Sequence, residues 1–191
     1  MNGFDTVIEN AFTLDEMEDV ITSYKNKVKP TVIFADNGDI LKVDKQTRDA
    51  SGYFIPDFNA VVDRFKLITS AITGLPVANQ EKPNFVKYSK GGFYKPHFDG
   101  FNKAQIEKGS MGVSGQRMFT SILYLNDDFD GGETVFPKIN KTIKPSPGKI
   151  YIWRNATPDL VLDQQSLHAG NPVQSGVKYV IVIWTRSNSL A

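Results

Sequence analysis

His97 and Asp99 stand two residues apart in the aromatic-rich stretch YSKGGFYKPHFD, residues 88–99. Read as a strand, this stretch sends side chains i and i+2 out of the same face, so an imidazole and a carboxylate converge on one point. A third donor would complete a set of two histidines and one carboxylate. Such a set leaves coordination positions open and suits a non-haem Fe(II) ion that must also bind substrate and O2. The chain has only two histidines, so the second, His168, is the one that must supply the third donor. By itself a His-x-Asp pair is a weak signal, and a capped core histidine plus a surface one is the plain alternative.

Lys178 changes the balance. It opens the run KYVIVIW, residues 178–184, ten residues after His168. Lys178, Val180, Val182 and Trp184 leave one face of that strand; Tyr179, Ile181 and Ile183 leave the other. Both faces are apolar, which predicts a central, buried strand. An ammonium there is costly unless it meets an anion, and no acidic residue nearby in the sequence offers one. A metal with open positions and an inward lysine together describe a site for a metal-chelating dicarboxylate.

These residues carry a resemblance. The chain resembles the prolyl 4-hydroxylase family of 2-oxoglutarate/Fe(II) dioxygenases, in its compact bacterial or viral form. The likeness includes Tyr88 nine residues before His97, the His97-x-Asp99 pair, RMFTSILYLN (117–126) and GGETVFP (131–137). It continues through PSPGKIYIW (145–153) and LHAGNPV with His168, then Lys178 and Trp184, in the family's order from about residue 48 onward. It implies Fe(II) on His97, Asp99 and His168, with Lys178 pairing the distal carboxylate of 2-oxoglutarate. Tyr88 and Thr120 match positions that hydrogen-bond this cosubstrate; an ordinary core tyrosine and a β-branched strand residue are the plain readings. Arg48, Tyr94 and Trp184 match peptide-facing positions. The implied activity is hydroxylation of peptidyl proline with O2 as second cosubstrate and ascorbate as reductant. Many family members have a histidine two residues after the tryptophan; Arg186 stands there in this chain, which bears on substrate identity more than on reaction type.

The elements that must position these groups can be read from period and punctuation. Residues 6–8 predict a short strand. A capping box at Thr13 and Glu16 opens an amphipathic helix over 14–27. Strands at 31–34 and 40–43 flank Asn37-Gly38, a strong hairpin signal. Asp57 is the expected cap of a second helix whose buried stripe is Phe58, Val61, Val62, Phe65 and Ile68, stopped by Gly74 and Pro76. From Pro83 onward short β runs follow, at 84–88, 93–98, 118–125, 134–136, 141–143, 150–154, 167–169 and 177–186. The expected fold is α+β: a double-stranded β-helix, or jelly roll, of about eight core strands buttressed by N-terminal helices. One domain spans 1–191, with 1–82 as helical and hairpin support and 83–191 as core. Gly131-Gly132 reads as a tight turn with Glu133 as an acceptor in it. Residues 100–116, polar and without period, read as a loop that closes over bound peptide.

Composition excludes much else. A net charge of +1 with no dense basic stripe argues against a nucleic-acid surface, and no run approaches a membrane span. Zero cysteines exclude disulfides and thiolate metal sites. MNGFDTVIENAF has neither a basic start nor a long apolar run, so the expectation is a cytoplasmic protein. Three competing readings stay open: a same-class dioxygenase acting on another side chain or a free amino acid, a jelly-roll isomerase or hydrolase, and a non-catalytic peptide-binding module.

Overall fold

The computed structural model describes residues 3–34, 41–56 and 58–190. The chain begins with β1 (Asp5–Ile8), α1 (Leu14–Tyr24), β2 (Lys29–Pro30), β3 (Ile33–Phe34), β4 (Leu41–Lys42), β5 (Arg48–Asp49), β6 (Ser51–Phe54) and α2 (Ala60–Thr73). Next come β7 (Asn84–Tyr88), β8 (Phe93–His97), α3 (Lys103–Glu107), β9 (Arg117–Tyr124), β10 (Asp130–Gly131) and β11 (Thr134–Phe136). It ends with β12 (Lys141–Ile143), β13 (Ile150–Arg154), β14 (His168–Gly170), β15 (Val173–Ser175) and β16 (Lys178–Arg186).

Two antiparallel sheets face each other. The larger runs β1-β13-β9-β16-β7-β6-β2 and the smaller β12-β11-β14-β8-β5. This is the expected jelly roll. Strands of the first 82 residues are built into it: β1, β2 and β6 extend the large sheet and β5 is an edge of the small one. No helix among the described residues is long and apolar enough to cross a membrane.

The large sheet is covered on both faces, which is why its strands read as unbroken apolar runs. Outward, Leu123, Ile150, Ile152, Ile181 and Ile183 pack with Met17, Val20, Val62 and Phe65 of the two long helices. Inward, Ile122, Tyr124, Tyr151, Trp153 and Val180 pack with Phe136 of the small sheet. Pleating alone sorts neighbouring residues between these two cores, so Lys178, Val180 and Val182 share the inward side.

Both helix starts carry side-chain caps. Thr13 Oγ1 accepts from the Glu16 amide and the Glu16 carboxylate accepts from the Thr13 amide. Glu16 also meets Arg64 at 2.9 Å, tying α1 to α2. At α2 the cap is Asn59, which accepts from the Val61 and Val62 amides. The expected cap, Asp57, lies outside the described residues. Phe58, expected in the buried stripe, precedes the cap and is 85% exposed, because a residue outside the helix does not share its periodicity. The β3–β4 ladder pairs Ile33 with Lys42 and Phe34 with Leu41; the Asn37-Gly38 turn expected to join them lies outside the described residues.

The stretch 100–116 departs from its sequence reading. It contains α3, capped reciprocally by Asn102 and Gln105. Buried Gln116 closes its base: the Phe101 amide donates to Gln116 Oε1 at 2.7 Å and Gln116 Nε2 donates to the Phe101 carbonyl at 2.8 Å. Arg186 donates to the Met111 carbonyl and Asn188 to that of Val113. Polar side chains, one at its own end and two from the C-terminal end of β16 and just beyond it, hold the segment in place of a long apolar stripe.

Candidate metal and cosubstrate site

Cross-strand register assembles the site. His97 on β8 lies opposite His168 on β14. Asp99 follows two residues after His97, where the strand has ended. The three donors lie within 4.8 Å of one another. His97 Nε2 is 3.7 Å from Asp99 Oδ1, and His168 Nε2 is 3.5 Å from Asp99 Oδ2. These separations are too long for good hydrogen bonds, so the atoms surround a common point instead of pairing with each other.

Their neighbours fix them in the state a metal requires. His97 Nδ1 is 2.8 Å from the Lys95 carbonyl and His168 Nδ1 is 2.8 Å from that of Ser166. A carbonyl only accepts, so each Nδ1 carries the hydrogen and each Nε2 faces the common point. Burial, reinforced by His168, pushes the His97 pKa down to about 3, favouring the neutral ring. Burial alone would raise Asp99, but His168, His97, Arg117 and the Thr120 hydroxyl hold it down at about 2. The donor set therefore fits a divalent first-row ion.

Thr120 sits on β9 and donates to Asp99 Oδ2 at 2.7 Å, while Asn155 Nδ2 donates to Thr120 Oγ1 at 2.7 Å. A hydroxyl has one hydrogen, so Thr120 cannot donate to a cosubstrate while it holds Asp99. Its observed partner is the carboxylate of the donor set. Tyr94 stacks on the His97 ring with centroids 3.4 Å apart, and Trp153 meets His168 edge-on at 4.8 Å.

Deeper in the same pocket is Lys178, 4% exposed. Its Nζ donates to the Gly132 carbonyl at 2.7 Å and lies 5.3 Å from the Tyr88 ring and 5.6 Å from the Tyr124 ring. Burial lowers its pKa to about 8, opposed only by the charge of Glu133. Gly132 is required here: its φ is +68°, and a Cβ would stand 2.9 Å from Phe129 and 3.3 Å from the Lys178 stem. Glu133 accepts from Asn171 at 3.1 Å, the structural part expected of it.

All the nominated side chains line this one pocket: Arg48, Tyr88, Tyr94, His97, Asp99, Thr120, His168, Lys178 and Trp184. The sequence reading missed Tyr124 and Thr134 beside Lys178, where the Tyr124 hydroxyl donates to Thr134 at 2.8 Å. Tyr124 was recoverable, since it lies on the same strand face as Thr120; Thr134 was not, because its three-residue strand has too little pattern. Arg117 and Asn155 were also missed. Arg117 makes a two-pronged bond to Glu81 at 2.7 and 2.8 Å and lies 4.2 Å from the Trp184 ring.

Two histidines and a carboxylate around one point, lining a pocket between two sheets, are the donor set of a non-haem Fe(II) oxygenase. Residues 83–186 match the 2OG-Fe(II) oxygenase superfamily. Prolyl 4-hydroxylase 5 of Arabidopsis thaliana is 33% identical over 200 residues, covering 93% of this chain and 66% of its own length. The chicken (Gallus gallus) prolyl 4-hydroxylase subunit alpha-1 is 34% identical over 134 residues, 70% of this chain but 25% of the subunit. This chain is thus shorter than either relative. Among solved structures, the viral collagen prolyl hydroxylase of Paramecium Bursaria Chlorella virus-1, in complex with 2OG, superposes with a TM-score of 0.76 at 25% identity. That match covers 97% of each chain. The chain belongs to the prolyl 4-hydroxylase family of 2OG-Fe(II) oxygenases.

Proposed function

We propose that this chain hydroxylates prolyl residues of an extended peptide at position 4, using Fe(II), 2-oxoglutarate and O2, with ascorbate as reductant. The observation that carries this reading is one pocket holding both a convergent His97-Asp99-His168 donor set and a buried lysine that makes no ion pair with a carboxylate among the described residues. In support, the Arabidopsis relative is named a prolyl 4-hydroxylase and the viral structure is a collagen prolyl hydroxylase with 2OG bound.

His97, Asp99 and His168 would hold the ion. With its cosubstrates the bound ion supplies oxidative chemistry: peptidyl C–H, O2 and 2-oxoglutarate become C–OH, succinate and CO2. The chain's own residues do the positioning. Lys178 offers its ammonium to the distal carboxylate, flanked by Tyr88 and by the Tyr124–Thr134 pair. The two Nδ1–H groups keep both imidazoles aimed, and Thr120 keeps one Asp99 oxygen turned. Tyr94 and Trp184 form aromatic walls at the mouth, suited to a rigid apolar proline ring. An extended, polyproline-like segment is already close to its bound shape, so ordering costs it little.

The test is mass spectrometry of a proline-rich peptide panel after incubation with Fe(II), 2-oxoglutarate and ascorbate. One added oxygen on proline, at the 4-position by fragment analysis and dependent on all components, is the expected result. Decay of 2-oxoglutarate with no oxygen added to any peptide would overturn the reading.

A further inference from the structure

The pocket contains a second buried cation whose partner is missing. Of the five arginines in the chain, four meet a carboxylate: Arg64 meets Glu16, Arg117 and Arg186 share Glu81, and Arg154 meets Asp163. Arg48 meets none among the described residues. It is 8% exposed, its Nε is buried without a hydrogen-bond partner, and its guanidinium lies over the Tyr94 ring, with Cζ 4.6 Å from the centroid. Tyr94 in turn stacks on His97, so the guanidinium stands one ring away from the donor set. A guanidinium cannot shed its charge, and burying it uncompensated is costly.

The contents of the proposed reaction site do not relieve this. A divalent ion, Asp99, Lys178 and a doubly charged 2-oxoglutarate cancel among themselves. Arg48 stays uncompensated, and Glu81, which serves two arginines, leaves a further positive charge near Trp184. Trp184 Nε1 is likewise buried without an acceptor. The missing anion therefore has to arrive with the second substrate. Arg48 lies on β5, an edge of the small sheet opposite Tyr94 of β8, where an extended chain can run past it. At about 3.3 Å per residue, the group that reaches it lies within one or two residues of the reacting proline.

We infer that Arg48 selects peptides carrying a carboxylate immediately beside the target proline, either an acidic side chain or the C-terminal carboxylate. This rests on the prolyl hydroxylation proposed above. The planar fork of a guanidinium favours paired bonds to a carboxylate, and a desolvated charged contact of this kind is worth about tenfold or more in selectivity.

The experiment compares peptides that differ only in Glu or Gln beside the proline, each with a free or amidated C-terminus. The kcat/KM for hydroxylation is measured with wild-type protein, Arg48→Gln and Arg48→Lys. The expected result is a preference of about tenfold or more for the carboxylate-bearing peptide, collapsing toward unity in Arg48→Gln and partly kept in Arg48→Lys. Whether the Glu/Gln or the acid/amide comparison shows it identifies which carboxylate is read. Equal hydroxylation of all peptides by wild type would overturn the inference and leave the hydroxylase reading standing. A preference that persists in Arg48→Gln would remove Arg48 from the role. No hydroxylation of any peptide would overturn the hydroxylase reading itself, and this inference with it.

Discussion

Replacing Lys178 with Met should make the protein more stable and weaken its binding of 2-oxoglutarate. The ammonium is buried, with a pKa near 8 against an ordinary 10.5. At about 1.36 kcal/mol per pH unit, that gap is a cost of about 3 kcal/mol to the folded state at neutral pH. Methionine keeps most of the stem and removes the charge. The Gly132 carbonyl then loses its donor, a cost of about 1 kcal/mol. The net gain of about 2 kcal/mol corresponds to a Tm rise of about 4–8 °C for a chain of this size. The sign with pH follows from the same values. The unfolded lysine holds its proton above pH 8 where the folded one has released it, so wild-type stability should gain on the variant between about pH 8 and 10.5. Differential scanning calorimetry across that range, with anaerobic 2-oxoglutarate titration of Fe(II)-loaded protein, reads both effects. Affinity should fall by more than about tenfold, since a buried charge pair loses roughly 2–5 kcal/mol when one member goes. A destabilised variant, or unchanged 2-oxoglutarate affinity, would refute the view that Lys178 is a cation held for a ligand.

Other outcomes follow from the same geometry. In the wild type, 2-oxoglutarate should bind with constant affinity below about pH 8 and about tenfold more weakly for each further pH unit, as free Lys178 loses its proton; titration calorimetry checks this. Thr120→Val should leave the fold intact but weaken Fe(II) binding by about 10- to 100-fold in anaerobic titration, because Asp99 loses the hydroxyl that turns it. Asp99→Ala should fold but neither retain iron nor turn over; full activity with iron bound would remove Asp99 from the donor set. Residues 102–115 should exchange amide hydrogens faster than β9 and slow when peptide binds, since few buried apolar contacts hold them; strong protection without peptide would argue against a lid.

The site was more legible in the sequence than the segments around it. Two histidines and one inward lysine in a chain with so few candidates leave little freedom, and strand pleating carries His97, Lys178 and Trp184 to the interior without further information. Phe58 was misread because hydrophobicity marks a helix face only once the helix has begun, and Asn59 begins it one residue later. The hold on 100–116 was invisible for a different reason: Gln116, Arg186 and Asn188 act on backbone carbonyls, and no residue pattern marks a carbonyl as a partner. The place of Thr120 on its strand was foreseeable, but its bonds to Asp99 and Asn155 were not, because they depend on where those two side chains come to rest.

The most direct test of the central claim is a single incubation with isotopically labelled O2, a proline-containing peptide, Fe(II) and 2-oxoglutarate. Mass spectrometry should find one labelled oxygen atom in succinate and one in the hydroxyproline formed, in equal amounts, with no label exchanged from water in the peptide product. Label in succinate alone, or hydroxylated peptide whose oxygen does not come from O2, would contradict the assignment of this pocket as a prolyl hydroxylase.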